Sequence, residues 1–137
     1  MTTEEYLQAR KSPTWRFNQV VQEGSFENIR RIHPIKQQAV RDIVSAARKD
    51  DAVEKIIIFG SATRYDCDIT SDLDVCINWR ENCYDLFGVL KPFTRNMRNT
   101  ISSVTNGHAD VVNYDYLAGT EIENAVKNGV IVYEHHV

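Results

Sequence analysis

The chain has 137 residues, of which 42% are hydrophobic and 26% are charged, and its formal net charge is −3. This profile is typical of one globular domain with its own core, and it excludes a protein that binds nucleic acid through a strongly basic overall charge. Three cysteines without a CxxC pair favour a reducing cytoplasm over a disulfide framework, and no apolar run reaches the ~18 residues of a membrane span.

Residues 1–33 predict a helical arm that precedes the main domain. One helix is predicted in TEEYLQAR, where Thr3 is a candidate N-cap and acids fill the first turn. A second helix begins at the Ser-Pro pair of SPTWRFNQVVQ and ends before Gly24. The aromatic residues that are expected to pack this arm on the domain are Trp15, Phe17 and Phe26.

Residues 34–137 predict one mixed α/β domain. The segment PIKQQAVRDIVSAARK has apolar residues at helical spacing. Its expected apolar face contains Ile35, Ala39, Ile43 and Ala46, with Val40 and Ala47 beside it. Strands are predicted in EKIIIFG, DLDVCINW, ADVVNYDYL and VIVYE. The resulting order, α-α-α-β-β-α-β-α-β, is that of a small sheet with helices packed against it.

Two further helices are predicted between these strands. One lies in CYDLFGVLKPFTRNMRNTIS, where Pro92 is expected to kink or divide it. The other lies in TEIENAVKNG, with Thr120 as its cap and Gly129 as its stop.

Acidic residues interrupt two of the predicted strands. Asp72 and Asp74 are two positions apart, so on a strand both carboxylates leave the same face. Inward-facing carboxylates repel one another, and burial raises the cost, unless a divalent cation neutralises them. Asp110 repeats the pattern in the apolar strand ADVV. Three carboxylates from two strands suit two Mg²⁺ or Mn²⁺ ions about 4 Å apart, the arrangement of phosphoryl and nucleotidyl transfer.

A glycine–serine pair ends the strand before these acids. Gly60 permits close backbone approach, and Ser61 begins a tight turn or helix. Free N–H groups at a helix N-terminus, together with the serine hydroxyl, form a phosphate cradle. The sequence therefore predicts a phosphate site and a metal site at opposite ends of one short loop, where shared cations also hold a triphosphate.

Other polar residues of this loop have simpler interpretations. Asp66 and Asp68 fit a solvated acidic loop. An EF-hand over DCDITSDLD fails because Ser71 replaces the turn glycine and Ile77 falls where the bidentate glutamate is needed. Arg64 is either a contact for the triphosphate or a surface arginine.

Residues outside the loop are open to two interpretations as well. His108, two positions before an acid, fits a turn histidine better than a site residue. Tyr114 and Tyr116 either stack on a base or pack between the sheet and its helices. Cys76 is expected to be a core residue rather than a catalytic one.

The stretch GSATRYDCDITSDLD resembles the nucleotidyltransferase signature of the DNA polymerase β superfamily. That signature is Gly-Ser, ten residues and Asp-x-Asp, which Gly60–Ser61 and Asp72–Asp74 match, and a third acid on a later strand corresponds to Asp110. The resemblance covers about residues 35–134, including the tail IENAVKNGVIVYE, and the size is similar to that of the minimal nucleotidyltransferases. This single-domain branch is often paired with a HEPN-domain toxin. Ala62 departs from the family, which often has arginine after Gly-Ser.

The resemblance implies a small mixed sheet with helices on one side, and an enzyme that transfers AMP from ATP to a hydroxyl acceptor. Two magnesium ions would be held by Asp72, Asp74 and Asp110, and Asp110 is also a candidate acceptor for the proton of the attacking hydroxyl. The β- and γ-phosphates of ATP would be held by Gly60 and Ser61, with Arg64 as a candidate contact.

The paired systems also imply a partner. There the acceptor is a tyrosine of the HEPN toxin, so the chain is expected to be an antitoxin that acts by AMPylation. Two alternatives stay open: transfer to a small molecule or an RNA end, and an antitoxin that acts mainly by binding. The nucleotide preference and homo-oligomerisation stay open too.

Overall fold

The computed structural model describes residues 26–135. Within them lie three α-helices, α1 (Pro34–Ala47), α2 (Pro92–Val104) and α3 (Ile122–Lys127), and four strands, β1 (Val53–Phe59), β2 (Leu73–Trp79), β3 (Ala109–Asn113) and β4 (Val130–Glu134). Short 3₁₀ helices occupy Ile29–Arg31, Gly60–Thr63 and Tyr114–Tyr116. The predicted mixed α/β fold is confirmed, and the two helices predicted before residue 26 lie outside the described residues.

The four strands form one mixed sheet in the order β3-β2-β1-β4. β1 is antiparallel to both β2 and β4, whereas β2 and β3 are parallel. The parallel pair places the beginnings of β2 and β3 at the same edge of the sheet, where Leu73 is opposite Ala109. Because β1 runs the other way, its last residue, Phe59, lies at this edge too, opposite Asp74.

The prediction places the helices on one face of the sheet, and the two long helices pack there, whereas the short α3 lies on the other face. The core under the long helices contains Ile56, Ile58, Val75 and Ile77 of the sheet, Val40, Ile43 and Val44 of α1, and Met97 and Ile101 of α2. The opposite face has a smaller cluster, in which Leu117 and Val126 cover Ile57, Phe59 and Cys76. Alternate side chains of β1 and β2 therefore enter different layers, and the short α3 covers part of the second face.

The residues just before α1 pack into the main core. Phe26, Ile29 and Ile32 are buried there, and the Gln37 side chain donates to the carbonyls of Ile29 and Ile32 at 3.2 and 2.8 Å. Phe26 is therefore a packing contact, as predicted. The predicted contacts Trp15 and Phe17 lie outside the described residues.

The segment between β2 and α2 differs from the sequence prediction. The sequence predicts one helix over residues 83–102, but α2 begins only at Pro92, which fits a first helical position because it lacks an N–H group. Before it, the Asp85 side chain accepts from the N–H groups of Phe87 and Val89 at 2.8 and 3.0 Å. This turn leaves Leu86 100% and Phe87 90% exposed, so these two apolar residues do not belong to the buried face of a helix.

Two details of the helices are also wrong in the prediction. Ile35 is 49% exposed, because the buried face of α1 is rotated toward Val40 and Val44. The Thr120 hydroxyl does not cap α3 but donates to the carbonyl of Leu117 at 2.6 Å.

None of the helices in residues 26–135 is both long and apolar enough to cross a bilayer.

Candidate active site

The three predicted acids lie at one edge of the sheet. In the parallel pair, Asp74 of β2 is directly opposite Asp110 of β3, and Asp72 comes two positions before Asp74. Leu73 and Val75, which flank Asp74, are buried in the main core. Since strand side chains alternate, Asp74 and Asp110 face away from the long helices. The fold thus brings residues 36 positions apart in the chain onto adjacent strands.

The electrostatic setting of Asp74 is unfavourable for a free carboxylate. Burial raises the pKa of Asp74, and the negative charges of Asp110 and Asp72 raise it further, while the charge of Arg64 lowers it. A cation shared by these carboxylates would relieve the repulsion. Oxygen donors of this kind suit Mg²⁺ or Mn²⁺, so the residues present fit a hard divalent cation.

The carboxylates are not yet gathered around a single point. In the part of the chain that the structure describes, no three His, Cys, Asp or Glu side chains are grouped as a ready metal site. Asp72 and Asp110 are exposed, and His108 Nδ1 lies 3.5 Å from Asp72 Oδ1. Exposed carboxylates can rotate without disturbing the core, so a cation could draw these side chains together.

Gly60 lies directly against Asp74. Its φ of +74° is in the left-handed region, which favours glycine, and a Cβ atom placed on it would overlap Asp74 Oδ2. The absence of a side chain therefore lets the end of β1 pack on the carboxylate.

The turn that follows Gly60 is held by several hydrogen bonds. Thr63 Oγ1 donates to the carbonyl of Gly60 at 2.8 Å, and the N–H of Arg64 donates to the carbonyl of Ser61 at 2.9 Å. The hydrogen bond to its carbonyl holds the backbone of Ser61, which directly follows the glycine that contacts Asp74.

Comparison with known families assigns the chain rather than its individual site residues. The family model described as polymerase beta, nucleotidyltransferase matches residues 41–136. The chain belongs to this family. No curated protein matches the chain. The matched range of this nucleotidyltransferase includes Gly60–Ser61, Asp72–Asp74 and Asp110, and its small mixed sheet agrees with the nucleotidyltransferase fold.

The loop between the turn and the acid pair of this nucleotidyltransferase has two acids that serve local structure. Asp66 Oδ1 lies 3.4 Å from Arg64 Nε in an exposed ion pair. Asp68 accepts from the N–H and the hydroxyl of Thr70 at 2.9 and 2.6 Å, and these hydrogen bonds lower the pKa of Asp68. Both positions match the predicted acidic surface loop, while the charge of Arg64 still reaches Asp74.

Two residues to which the sequence analysis gives no role lie beside the site. The N–H of His33 donates to the carbonyl of Ala62 at 2.7 Å, and Lys36 Nζ donates to the carbonyl of Ser71 at 2.5 Å. Both contacts join the beginning of α1 to the loop that leads to the acids. No local pattern signals them, since Lys36 and Ser71 are 35 positions apart.

The aromatic residues after β3 lie near a cavity on the same sheet face. The cavity measures about 440 Å³, and its lining includes Ile57, Tyr114, Leu117 and Val126 but none of the three acids. Tyr116 packs edge-on against Tyr84 at 5.1 Å and donates its hydroxyl to Asn82 Oδ1 at 3.1 Å. Tyr116 is thus engaged in packing, and Tyr114 is the one of the predicted pair that lines open space.

Proposed function

We propose that this nucleotidyltransferase transfers AMP from ATP to a hydroxyl of a partner protein, a tyrosine of a HEPN-type toxin, with Mg²⁺ as its cofactor. The observation that carries the proposal is the pairing of Asp74 with Asp110 beside Gly60, in a chain of the polymerase beta family. Carboxylates with nothing but oxygen donors suit magnesium. The adjoining Gly-Ser turn suits a triphosphate, because a glycine lets phosphate oxygens approach the backbone.

The residues have separate tasks in binding. Gly60 and Ser61 bind the β- and γ-phosphates, with Arg64 as an additional positive charge near the acids. The cations are held by Asp72, Asp74 and Asp110. When bound, the cations would neutralise the negative charge that develops on the transferred and leaving phosphates.

The chemical step needs a group that accepts a proton. It also needs an open path by which the hydroxyl that receives AMP reaches the site. Asp110 is exposed and takes the proton of the attacking hydroxyl. The hydroxyl oxygen then bonds to the α-phosphorus in line, while the bond from that phosphorus to the bridging oxygen of the β-phosphate breaks. Pyrophosphate leaves with the bonding electrons. An acid on the surface can meet a side chain that is itself part of a folded protein.

A second candidate is an antitoxin that acts mainly by binding its partner. The observation that favours it is the turn at Asp85, which holds Leu86 and Phe87 in water at 100% and 90% exposure. Adjoining exposed apolar side chains mark interaction sites more often than scattered ones do. This candidate and the catalytic one share the partner and differ in whether AMP is transferred.

Binding of ATP is expected to depend on a divalent metal. The carboxylates and the triphosphate are all negative, so without a cation they repel one another. Calorimetry with Mg²⁺ or Mn²⁺ should give measurable ATP binding that disappears with EDTA. Equal affinity with and without metal would remove the proposed cation site.

Label from α-labelled ATP is expected on a protein. The parent, incubated with lysate of the source cell, should mark one partner band, and the Asp110→Asn variant should mark none because it lacks the proposed proton acceptor. Label found only on RNA or on a small molecule would show that the acceptor is not a protein. Tight capture of a partner without any label would favour the binding-only antitoxin.

A further inference from the structure

Lys36 reaches the site from helix α1. It lies in the first turn of that helix and is half-buried, and its Nζ donates to the carbonyl of Ser71 at 2.5 Å. Ser71 immediately precedes Asp72. The lysine therefore joins the helix to the loop from which the acid pair enters β2.

The charge of Lys36 also affects Cys67, in the loop between the Gly-Ser turn and the acid pair. Burial raises the pKa of the Cys67 thiol, a hydrogen bond with Ser61 lowers it, and the charge of Lys36 lowers it as well. The N–H of His33, three positions before Lys36, donates to the carbonyl of Ala62 at 2.7 Å, so the beginning of α1 contacts the Gly-Ser turn as well as Ser71.

The positive charge of Lys36 has no carboxylate partner among the described residues. Among the ion pairs of residues 26–135, none includes its ammonium. A lysine ammonium has three N–H donors, so the bond to Ser71 leaves two for another acceptor. A half-buried charge without a partner is costly and favours an anion at this position.

We propose that Lys36 is a further nucleotide-binding residue, whose ammonium, oriented by the carbonyl of Ser71, donates to the triphosphate bound at Gly60 and Ser61. The inference rests on the proposed function in one respect, since it takes the donor to be a nucleoside triphosphate. Lysine binds phosphate as a compact point charge with rotatable donors. Charge at this position also stabilises the pyrophosphate as it leaves.

The test separates contact with the phosphates from mere support of the loop. MgATP affinity and tripolyphosphate affinity in the presence of Mg²⁺ are measured for the parent, Lys36→Met, Lys36→Arg and the control Lys49→Met, which changes an exposed lysine beyond the end of α1. Mn²⁺ affinity without nucleotide and the melting temperature are measured for the same proteins. Losing a charged hydrogen bond should weaken both phosphate ligands at least about tenfold in Lys36→Met. Mn²⁺ affinity should stay at the parent value, and Lys36→Arg should keep most of the phosphate affinity.

Each other outcome overturns the inference. Lys36→Met that binds MgATP as tightly as the parent shows that the lysine does not contact the phosphates. Loss of Mn²⁺ affinity together with ATP affinity, with no recovery in Lys36→Arg, assigns Lys36 to support of the acid loop instead. A parent that binds no MgATP at all is a different result, because it overturns the proposed function as well.

Discussion

Asp74→Asn is expected to lose nucleotidyl transfer by at least about a hundredfold while the metal-free protein stays as stable as the parent or becomes more stable. The loss has the size of one strong transition-state contact. The gain or equality in stability follows from the charge cluster, because asparagine has nearly the same volume and removes one of three repelling carboxylates. Two melting curves and one activity assay per protein test both parts.

The pH dependence of this comparison has a definite sign. Burial and the charges of Asp110 and Asp72 raise the pKa of Asp74 above its ordinary value of 3.8, so the folded state holds this proton more tightly than the unfolded state does. Ionisation of Asp74 therefore costs stability once the pH exceeds 3.8, and the cost is complete above the raised folded-state pKa. The stability of Asp74→Asn relative to the parent should rise across that window and level off above it.

Ligand stabilisation gives an independent measure for the same variant. Mg²⁺ and ATP should raise the free energy of unfolding of the parent by ~2.7 kcal/mol at a hundred times the dissociation constant, and that of Asp74→Asn by much less. Asp51→Asn is the control, since Asp51 is an exposed residue before β1, at the opposite end of the strand from Gly60. If Asp74→Asn unfolds while metal and ATP leave the parent unchanged, Asp74 is a structural residue and not a metal ligand.

The local patterns of the sequence predict the elements that carry this site. The β-branched run EKIIIFG predicts β1, which the structure has at Val53–Phe59, and Gly60 then follows directly. The alternation of DLDV predicts Asp74 between buried neighbours, and Leu73 and Val75 are buried on either side of it in β2, whereas Asp72 precedes the strand. These predictions succeed because strand alternation and a glycine at a left-handed turn are local properties.

Contacts between distant segments are what the sequence leaves open. The register that sets Asp74 opposite Asp110 depends on how α2 crosses back to β3, and the bond from Lys36 to Ser71 depends on where α1 packs. The turn at Asp85 shows a different kind of error. The spacing of apolar residues predicts a helix there, but the segment forms a turn. There the hydrogen bonds of the Asp85 side chain and the proline at position 92 decide the local structure.

Gly60→Ala is the second variant for which a large effect is expected. The alanine Cβ would overlap Asp74 Oδ2 and lie 3.2 Å from Asp74 Cγ, so the carboxylate must leave its position opposite Asp110. Because this carboxylate is the end of a short side chain, it can rotate away without unfolding the domain. Transfer activity and MgATP affinity should therefore fall together, activity by at least about a hundredfold.

The matched control for Gly60→Ala is Gly88→Ala. Gly88 has nearly the same backbone conformation, with φ of +75°, but nothing lies within 4 Å of its added Cβ. Both variants carry the left-handed strain of an L-residue, about 1–2 kcal/mol, so their melting temperatures should fall by similar amounts. Only Gly60→Ala displaces Asp74, and only it should lose nucleotide binding and transfer. If the two variants keep the same activity, the close approach of Gly60 to Asp74 does not position a reacting group, and the proposed site loses its geometric basis.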